Sequence, residues 1–197
     1  MKAGMLFSGG KDSSLAALML SRDYEIELNT FVFDKEKGIP GVENAAKTLG
    51  FPLKKRVFKE GLLNIVMEMM VENGYPNDAI NLVHRSAIRC LCEEYDVIGD
   101  GTRLNDRVPM LDYAEIQRLE GKYNSALVRP LLGFGRREVN RLVEKYFTVE
   151  YGETGGHIKN GDYESEIRAA FSAKGIDPYK IFPSHHEQSL ITGRKLQ

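Results

Sequence analysis

The sequence predicts an α/β fold, a doubly wound parallel sheet of about five strands with helices on both faces. Short apolar, β-branched runs alternate with longer helical stretches, which is typical of parallel strands joined by crossover helices. A length of 197 residues suits one domain with a short appendage, and 42% hydrophobic with 28% charged residues is ordinary for a globular chain. We expect a core domain, residues 1–147, and a C-terminal extension, residues 148–197, with a glycine-rich lid and a short helix.

The elements follow one another along the chain with recognisable stops. Five strands are predicted, at residues 3–7, 28–33, 53–58, 96–98 and 126–132. Six helices are predicted, at residues 15–20, 42–49, 62–72, 78–94, 136–146 and 163–173. Gly50 and Pro52 end the second helix, whereas Pro130 weakens the fifth strand because proline cannot donate to a strand ladder. The polar, glycine-rich stretch 152–161 is expected to close on a second substrate, with Lys159 compensating its charge.

Charge and composition exclude several classes of protein. The 27 Lys+Arg balance 28 Asp+Glu, which argues against a protein whose main task is to grip nucleic-acid backbone. No apolar run approaches the roughly 18 residues of a membrane span, and the start is too short for a signal peptide. We therefore expect a cytoplasmic protein without a membrane partner. Cys90 and Cys92 cannot build a disulfide framework or a four-thiolate zinc site, so core packing is their expected role.

The turn after the first strand, Ser8–Ser14, carries the most chemistry. Its two adjacent glycines allow a tight turn and the close approach of a ligand, and the following helix directs free amide groups to the same place. Three hydroxyls and Lys11 complete a phosphate site whose spacing differs from the Walker and G-x-G-x-x-G motifs. Asp12 inside such a loop indicates Mg²⁺, which commonly binds one or two carboxylates together with phosphates. The alternative is a tight turn that only caps the helix.

A second glycine turn, 99–107, follows the fourth strand and carries two carboxylates and two arginines. In doubly wound sheets, ligands bind outside the carboxyl ends of the strands at the point where the strand order reverses. If the order is 3-2-1-4-5, strands one and four are neighbours at that point. The two glycine turns would then face each other across one crevice. The alternative for the second turn is a surface loop with solvated charges.

Three stretches carry a resemblance to a known superfamily. Ser8–Ser13 resembles the SGGxDS signature of the N-type ATP pyrophosphatases, the Rossmann-like PP-loop or adenine nucleotide alpha hydrolase superfamily. Residues 101–106 resemble its G-T-x-x-D-D turn, with Asn105 in place of the first acid. Residues 129–139 resemble its RPL and K-E-V stretch, with arginine in place of lysine. Together the similarity covers roughly residues 3–146.

The resemblance implies ATP and Mg²⁺ as cofactors, and cleavage of ATP into AMP and PPi. The cleavage would activate an oxygen of a small-molecule acceptor for amidation or sulfur transfer. The residues expected to hold the nucleotide are Ser8, Gly9, Gly10, Lys11, Asp12, Ser13, Ser14, Phe33, Asp34, Gly99, Asp100, Gly101 and Thr102. Catalytic roles are expected for Lys11, Asp12, Asp106, Arg107 and Arg129. The expected metal ligands are Asp12 and Asp106.

Two other functions stay open at this point. One is a tRNA-modifying thiolase of the same superfamily, which the even charge balance disfavours because such an enzyme needs an RNA-binding surface. The other is a non-catalytic ATP or AMP sensor. A homodimer also stays open. Because 197 residues leave no room for a glutaminase domain, we expect ammonia, another small donor or a separate partner to supply the nucleophile.

Overall fold

A computed structural model describes residues 1–154 and 156–195, and it confirms the predicted sheet. Five parallel strands stand in the order β3-β2-β1-β4-β5. The strands are β1 Lys2–Leu6, β2 Glu25–Val32, β3 Leu53–Val57, β4 Val97–Gly99 and β5 Ala126–Val128. The helices are α1 Lys11–Leu20, α2 Pro40–Leu49, α3 Leu62–Asn73, α4 Asn77–Cys92, α5 Tyr113–Tyr123, α6 Arg136–Tyr146 and α7 Tyr163–Ala173.

Helices cover both faces of the sheet. One apolar cluster joins the sheet to α1, α2 and α6, and Leu15, Val42 and Val139 are fully buried in it. The second joins the opposite face to α3, α4, α5 and α7, and includes Val66 and Ile167. Within the described ranges, no helix combines the length and apolar character needed to cross a membrane. The carboxyl ends of the strands form one open edge, where a ligand can bind.

The C-terminal part of the chain contains an antiparallel ribbon that the sequence did not predict, formed by β6 Phe147–Glu153 and β7 Glu187–Arg194. Phe147 and Ile191 are buried in the same cluster as α1 and α2, so the ribbon packs directly on the core domain. The strand signal of β7 is weak because its sequence, EQSLITGR, mixes polar residues and a glycine among few apolar ones. Gly155 of the predicted lid and residues 196–197 of the predicted extension lie outside the described residues.

Strand β2 begins at Glu25, three residues earlier than predicted. The prediction missed these residues because they include a charged side chain, Glu27, that is buried in the structure. Glu27 is 7% exposed, and its oxygens accept from Lys2 and Lys54, each at 3.0 Å, and from the Tyr95 hydroxyl. Burial raises the pKa of Glu27, but these three donors outweigh it and lower the pKa to about 2. A charged residue in an interior strand is tolerated here because Lys2 of β1 and Lys54 of β3 neutralise it and the hydroxyl of Tyr95, after α4, donates to it.

Helix α5 was not predicted, and its start is set by polar rather than apolar residues. Asp112 accepts a hydrogen bond from the amide of Glu115 at 2.7 Å, while Glu115 accepts from the amide of Asp112 at 3.2 Å. This reciprocal capping box fixes the first turn. In this helix only Leu119 is buried, so the sequence lacks the apolar periodicity on which helix prediction depends.

Candidate functional site

The glycine turn after β1 forms a cradle, residues Ser8–Ser13, at the start of α1. Gly9 has a φ of +79°, in the left-handed region that glycine adopts without strain. The Ser8 Oγ accepts from the amide of Gly10 at 3.3 Å and lies 3.2 Å from the Ser13 Oγ. Within the described residues, the amides of Asp12 and Ser13 have no hydrogen-bond partner. The positive end of the helix is therefore available to an anion.

The second glycine turn touches this cradle directly. A Cβ at Gly101 would come within 2.7 Å of the amide nitrogen of Ser13, so only glycine permits the contact. Asp100 turns its Oδ1 back to accept from the amide of Thr102 at 2.9 Å. Since β1 and β4 are hydrogen-bonded neighbours, the two turns meet at the reversal of strand order, as the sequence analysis expected.

Both turns line a cleft of about 660 Å³. Nine of the expected site residues lie on its wall: Ser8, Gly10, Lys11, Asp12, Ser13, Asp100, Gly101, Thr102 and Asp106. Much of the remaining wall comes from α4, the start of α7 and the segment that enters β7, with further residues from β1, β2 and the start of α6. The cleft is thus shared between the two glycine turns and elements for which no site role was predicted.

Charged side chains alternate across the cleft. Lys11 Nζ lies 2.7 Å from Asp12 Oδ1, and Arg103 Nε lies 3.5 Å from Asp12 Oδ2. Arg103 also donates to both oxygens of Asp106, through its backbone amide at 2.8 Å and its Nε at 3.0 Å. Burial lowers the pKa of Arg103, but Asp106 and Asp12 outweigh it and raise the pKa on balance. Arg103, for which the sequence analysis assigned no role, therefore remains a cation between two carboxylates.

The donor set fits Mg²⁺ at Asp12 better than at Asp106. In the part of the chain that the structure describes, no three His, Cys, Asp or Glu residues are grouped to hold a metal. Asp12 offers one carboxylate beside the anion cradle, which matches the preference of Mg²⁺ for few carboxylates plus phosphates. Arg103 donates to both oxygens of Asp106, at 2.8 and 3.0 Å. Asp106 therefore holds the side chain of Arg103 in position. On Asp12, Lys11 donates to Oδ1 at 2.7 Å, whereas Arg103 lies 3.5 Å from Oδ2, so Oδ2 is the least engaged carboxylate oxygen of the two residues.

Several expected site residues lie elsewhere. The amides of Phe33 and Asp34, expected against the nucleotide, donate to the carboxylate of Glu166 at 3.1–3.3 Å. Arg129 donates to the carbonyl of Leu111 at 3.3 Å, and Arg107 is exposed. The expected residues outside the cleft wall are Gly9, Ser14, Phe33, Asp34, Gly99, Arg107 and Arg129.

A buried histidine was missed by the sequence analysis. His84, on the cleft side of α4, is 5% exposed and places its Nε2 3.1 Å from Asp100 Oδ2. Burial raises the pKa of Asp100, but His84 and the amide of Thr102 outweigh it and lower the pKa. The pair joins α4 to the second glycine turn. A single histidine in an amphipathic helix carries no local signal, so this contact could be found only from the tertiary structure.

A second polar cluster at the start of α7 was also missed. His186 Nδ1 lies 2.7 Å from Glu164 Oε2, and Arg168 Nε donates to Glu164 Oε1 at 2.7 Å. The sequence analysis assigned no site role to His186. Burial raises the pKa of Asp162 to about 6, with a further contribution from Glu164. Asp162, Glu164 and His186 line this end of the cleft, and Arg168 pairs with Glu164 from outside the lining.

The ion pair between Glu164 and His186 predicts a pH window for stability. The hydrogen bond that the protonated ring of His186 donates to Glu164 raises the pKa of His186 above 6.5. The contribution of His186 to the free energy of unfolding is therefore complete below pH 6.5 and is lost as pH rises through the raised pKa. Burial raises the pKa of Glu164, but His186 and Arg168 lower it below 4.5, so its contribution falls away below that pH. We expect His186→Asn to lower the melting temperature most between pH 4.5 and 6.5 and less at pH 8.

Thermal melts of the two proteins across this pH range test the prediction. His185→Asn is the matched control, since the His185 side chain is 87% exposed and lies 3.9 Å from Glu153. A difference between wild type and His186→Asn that stays constant from pH 5 to pH 8 would contradict the ion pair.

The extension reaches the cradle through backbone and side-chain contacts. Ser189 Oγ, in β7, accepts from the amide of Lys11 at 3.1 Å, and the amide of Ile191 donates to the carbonyl of Gly9 at 3.0 Å. The amide of Gly161, at the end of the predicted lid, donates to the carbonyl of Ser8 at 2.7 Å. Lys159 is exposed and donates to Gly156 at 3.1 Å, and it does not line the cleft.

Comparison with known proteins places these features in context. The model of a family of unknown function, DUF7411, matches residues 1–193. The uncharacterized protein MJ0690 of Methanocaldococcus jannaschii is 38% identical over 196 residues, which cover 99% of this chain and 97% of the relative. A crystal structure described as a predicted subunit of tRNA methyltransferase, from the same organism, has a TM-score of 0.90 at 38% identity, covering 100% and 99% of the two chains. An NH3-dependent NAD synthetase of Campylobacter jejuni has a TM-score of 0.47 at 13% identity, covering 73% and 63%.

Proposed function

Because the chain belongs to the DUF7411 family, whose function is unknown, its activity has to be inferred from its own site, and we propose that it is an ATP-dependent adenylating enzyme. It would cleave ATP to AMP and PPi and thereby activate an oxygen of a small-molecule acceptor. In this proposal the chain is an N-type ATP pyrophosphatase of the PP-loop superfamily. ATP and Mg²⁺ are its cofactors, and residues 148–197 extend the nucleotide-binding domain 1–147.

The proposal depends above all on the contact between the two glycine turns. Unpartnered amides of Asp12 and Ser13 lie at the start of α1, and Gly101 approaches Ser13 closely enough that a side chain is excluded. Such a cradle of amides favours an oxyanion with several oxygens, because each amide can donate to a different oxygen. Lys11 and Arg103 line the same cleft, where Asp12 and Asp106 balance their charge. The cradle amides together with these two cations would suit a polyphosphate whose charge Mg²⁺ at Asp12 partly neutralises.

The chemistry asks the protein for positioning and charge neutralisation. In the first step an acceptor oxygen forms a bond to the α-phosphorus, and the bond from that phosphorus to the bridging oxygen of PPi breaks. Lys11, Arg103 and the amides of the cradle would neutralise the charge that the leaving PPi carries. A Mg²⁺ ion held at Asp12 would supply Lewis-acid stabilisation of the phosphate oxygens. In the second step a nucleophile forms a bond to the activated carbon and displaces AMP.

Direct product analysis tests the proposal. The purified protein is incubated with ATP and Mg²⁺ alone and with pools of candidate acceptors, and AMP and PPi are quantified. We expect AMP and PPi in equal amounts, with formation that depends on one acceptor class. Release of ADP and phosphate instead would overturn the proposed cleavage position.

A tRNA-modifying thiolase is the second candidate. It is favoured by one observation, the relative at a TM-score of 0.90 that is described as a predicted subunit of tRNA methyltransferase. Its sulfur chemistry has less support, because burial raises the pKa of the Cys92 thiol and disfavours the reactive thiolate. Binding of tRNA that weakens steeply with salt would support this candidate, since each phosphate contact releases counterions. Weak, salt-independent binding would remove it.

A nucleotide sensor without catalysis is distinguished by the same assays. A sensor would bind ATP or AMP but form neither AMP nor PPi from ATP with any acceptor pool. Equilibrium binding of ATP, measured beside product formation, therefore separates this reading from the adenylating enzyme.

A further inference from the structure

Ser189 lies 178 positions after Lys11 in the chain, yet its hydroxyl sits at the start of α1. The Ser189 Oγ accepts from the amide of Lys11 at 3.1 Å, and a Cβ at Gly10 would lie 3.4 Å from it. Ser189 also lines the cleft beside the cradle. The cradle, residues Ser8–Ser13, is therefore supplemented by a hydroxyl from the other end of the chain.

The hydroxyl of Ser189 acts as an acceptor in the structure, and its own proton is available for a further hydrogen bond. A serine hydroxyl has one proton and two acceptor lone pairs, and the amide of Lys11 uses one of the lone pairs. Within the described ranges, no acceptor is placed to receive the Ser189 proton. Because the side chain lines the cleft, that proton can be donated to an oxygen of a bound anion.

The ribbon fixes Ser189 relative to the cradle. Two residues further along β7, the amide of Ile191 donates to the carbonyl of Gly9 at 3.0 Å. On the other side, the amide of Gly161 donates to the carbonyl of Ser8 at 2.7 Å. These bonds occupy two carbonyls of the turn, those of Ser8 and Gly9. A donor held in place loses little conformational freedom when it binds, which strengthens its contribution to affinity.

We propose that Ser189 is a phosphate ligand. Its hydroxyl, on strand β7, would donate to a terminal oxygen of the polyphosphate in the cradle. This inference rests on the proposed function for the identity of ATP. The role of Ser189 itself does not depend on the nucleoside, because it applies to any di- or triphosphate anion that occupies the cradle. It assigns a binding role to the extension, whose substrate-facing role the sequence placed in the 152–161 loop.

Calorimetric titration with inorganic pyrophosphate tests Ser189 directly. We expect Ser189→Ala to weaken pyrophosphate affinity about ten- to a hundredfold, as the loss of a hydrogen bond to a charged group does. Thr192→Ala is the matched control, since Thr192 is an exposed hydroxyl of the same strand that bonds Thr148 at 3.4 Å. Its affinity for pyrophosphate is expected to equal that of wild type.

Amide hydrogen exchange separates a ligand role from a structural one. In the ligand-free Ser189→Ala protein, we expect the amides of Ile191 and Gly161 to exchange at wild-type rates. Weaker binding accompanied by faster exchange at these amides would overturn the ligand role, and so would unchanged pyrophosphate affinity.

The proposed function fails in a different way. A wild-type protein that binds pyrophosphate through Ser189 but forms no AMP with any acceptor would leave the ligand role standing and remove the enzyme. A wild-type protein that does not bind pyrophosphate would overturn both.

Discussion

Replacing Asp12 by Asn is expected to reduce formation of AMP and PPi by on the order of a hundredfold or more while the fold stays intact. Asparagine is nearly isosteric but carries no charge, so the cleft loses the carboxylate that suits Mg²⁺. Lys11, which lies 2.7 Å from Asp12 and is 7% exposed, loses its counter-charge. Pyrophosphate binding without metal should then be retained or strengthened, since the cradle becomes more positive.

The two readouts make this substitution informative. Turnover is measured by AMP release and affinity by titration with pyrophosphate in the presence of chelator, and melting temperature reports the fold. Asp23→Asn, an exposed acid just after α1, is the control for a generic loss of charge. Near wild-type turnover in Asp12→Asn would refute the metal role of Asp12.

Replacing Gly101 by Ala is expected to weaken ATP binding and turnover by on the order of a hundredfold, although the change adds a single methyl group. The new Cβ would lie 2.7 Å from the amide nitrogen of Ser13 and 2.9 Å from its Cα. Both are backbone atoms at the start of α1, so neither can turn aside as a flexible side chain would. The two glycine turns must therefore separate, and the cradle loses its geometry.

Gly121→Ala provides a matched control, because a Cβ at Gly121, in α5, has no neighbouring atom within 4 Å. Alanine is favoured over glycine inside a helix by roughly 0.5–1 kcal/mol, so this variant should be slightly more stable and fully active. Isothermal titration with ATP and the AMP assay compare the two variants. Equal ATP affinity in Gly101→Ala and wild type would contradict the tight contact between the turns.

The sheet could be predicted from the sequence because its signals are local. Most of the parallel strands contain a short apolar run, although β3 is LKKRV, and a helix follows each strand along the chain. The order 3-2-1-4-5 is the doubly wound order that would bring the two glycine turns together, and it is the order observed. The elements that the sequence analysis missed have no local signal in the sequence. Helix α5 depends on the capping box of Asp112 and Glu115, and the early start of β2 depends on the partners of Glu27. The ribbon depends on packing against α1 and α2.

The candidate site shows the same division. The cradle and Gly101 were found because glycine beside phosphate-binding residues is recognisable within a short stretch. His84, His186 and Ser189 line the cleft through contacts between elements that are distant in the chain. For the same reason, Arg103 was overlooked beside Asp106, although both stand in one turn. Its position between two carboxylates is visible only when Asp12 is brought across from α1.

Glu166 would compete with any ligand that binds the backbone amides at the end of β2, and so would make the net free energy of that binding less favourable. Its carboxylate already accepts from the amides of Phe33 and Asp34, and Lys37 Nζ lies 3.5 Å away. A nucleobase arriving there would replace one acceptor by another, so the number of hydrogen bonds to those amides would not increase. The free energy of that exchange would depend on how well the displaced carboxylate is solvated or paired with Lys37. Recognition of a base at this position would therefore be a competition with Glu166 for the same amides, and substitution of Glu166 would shift its outcome.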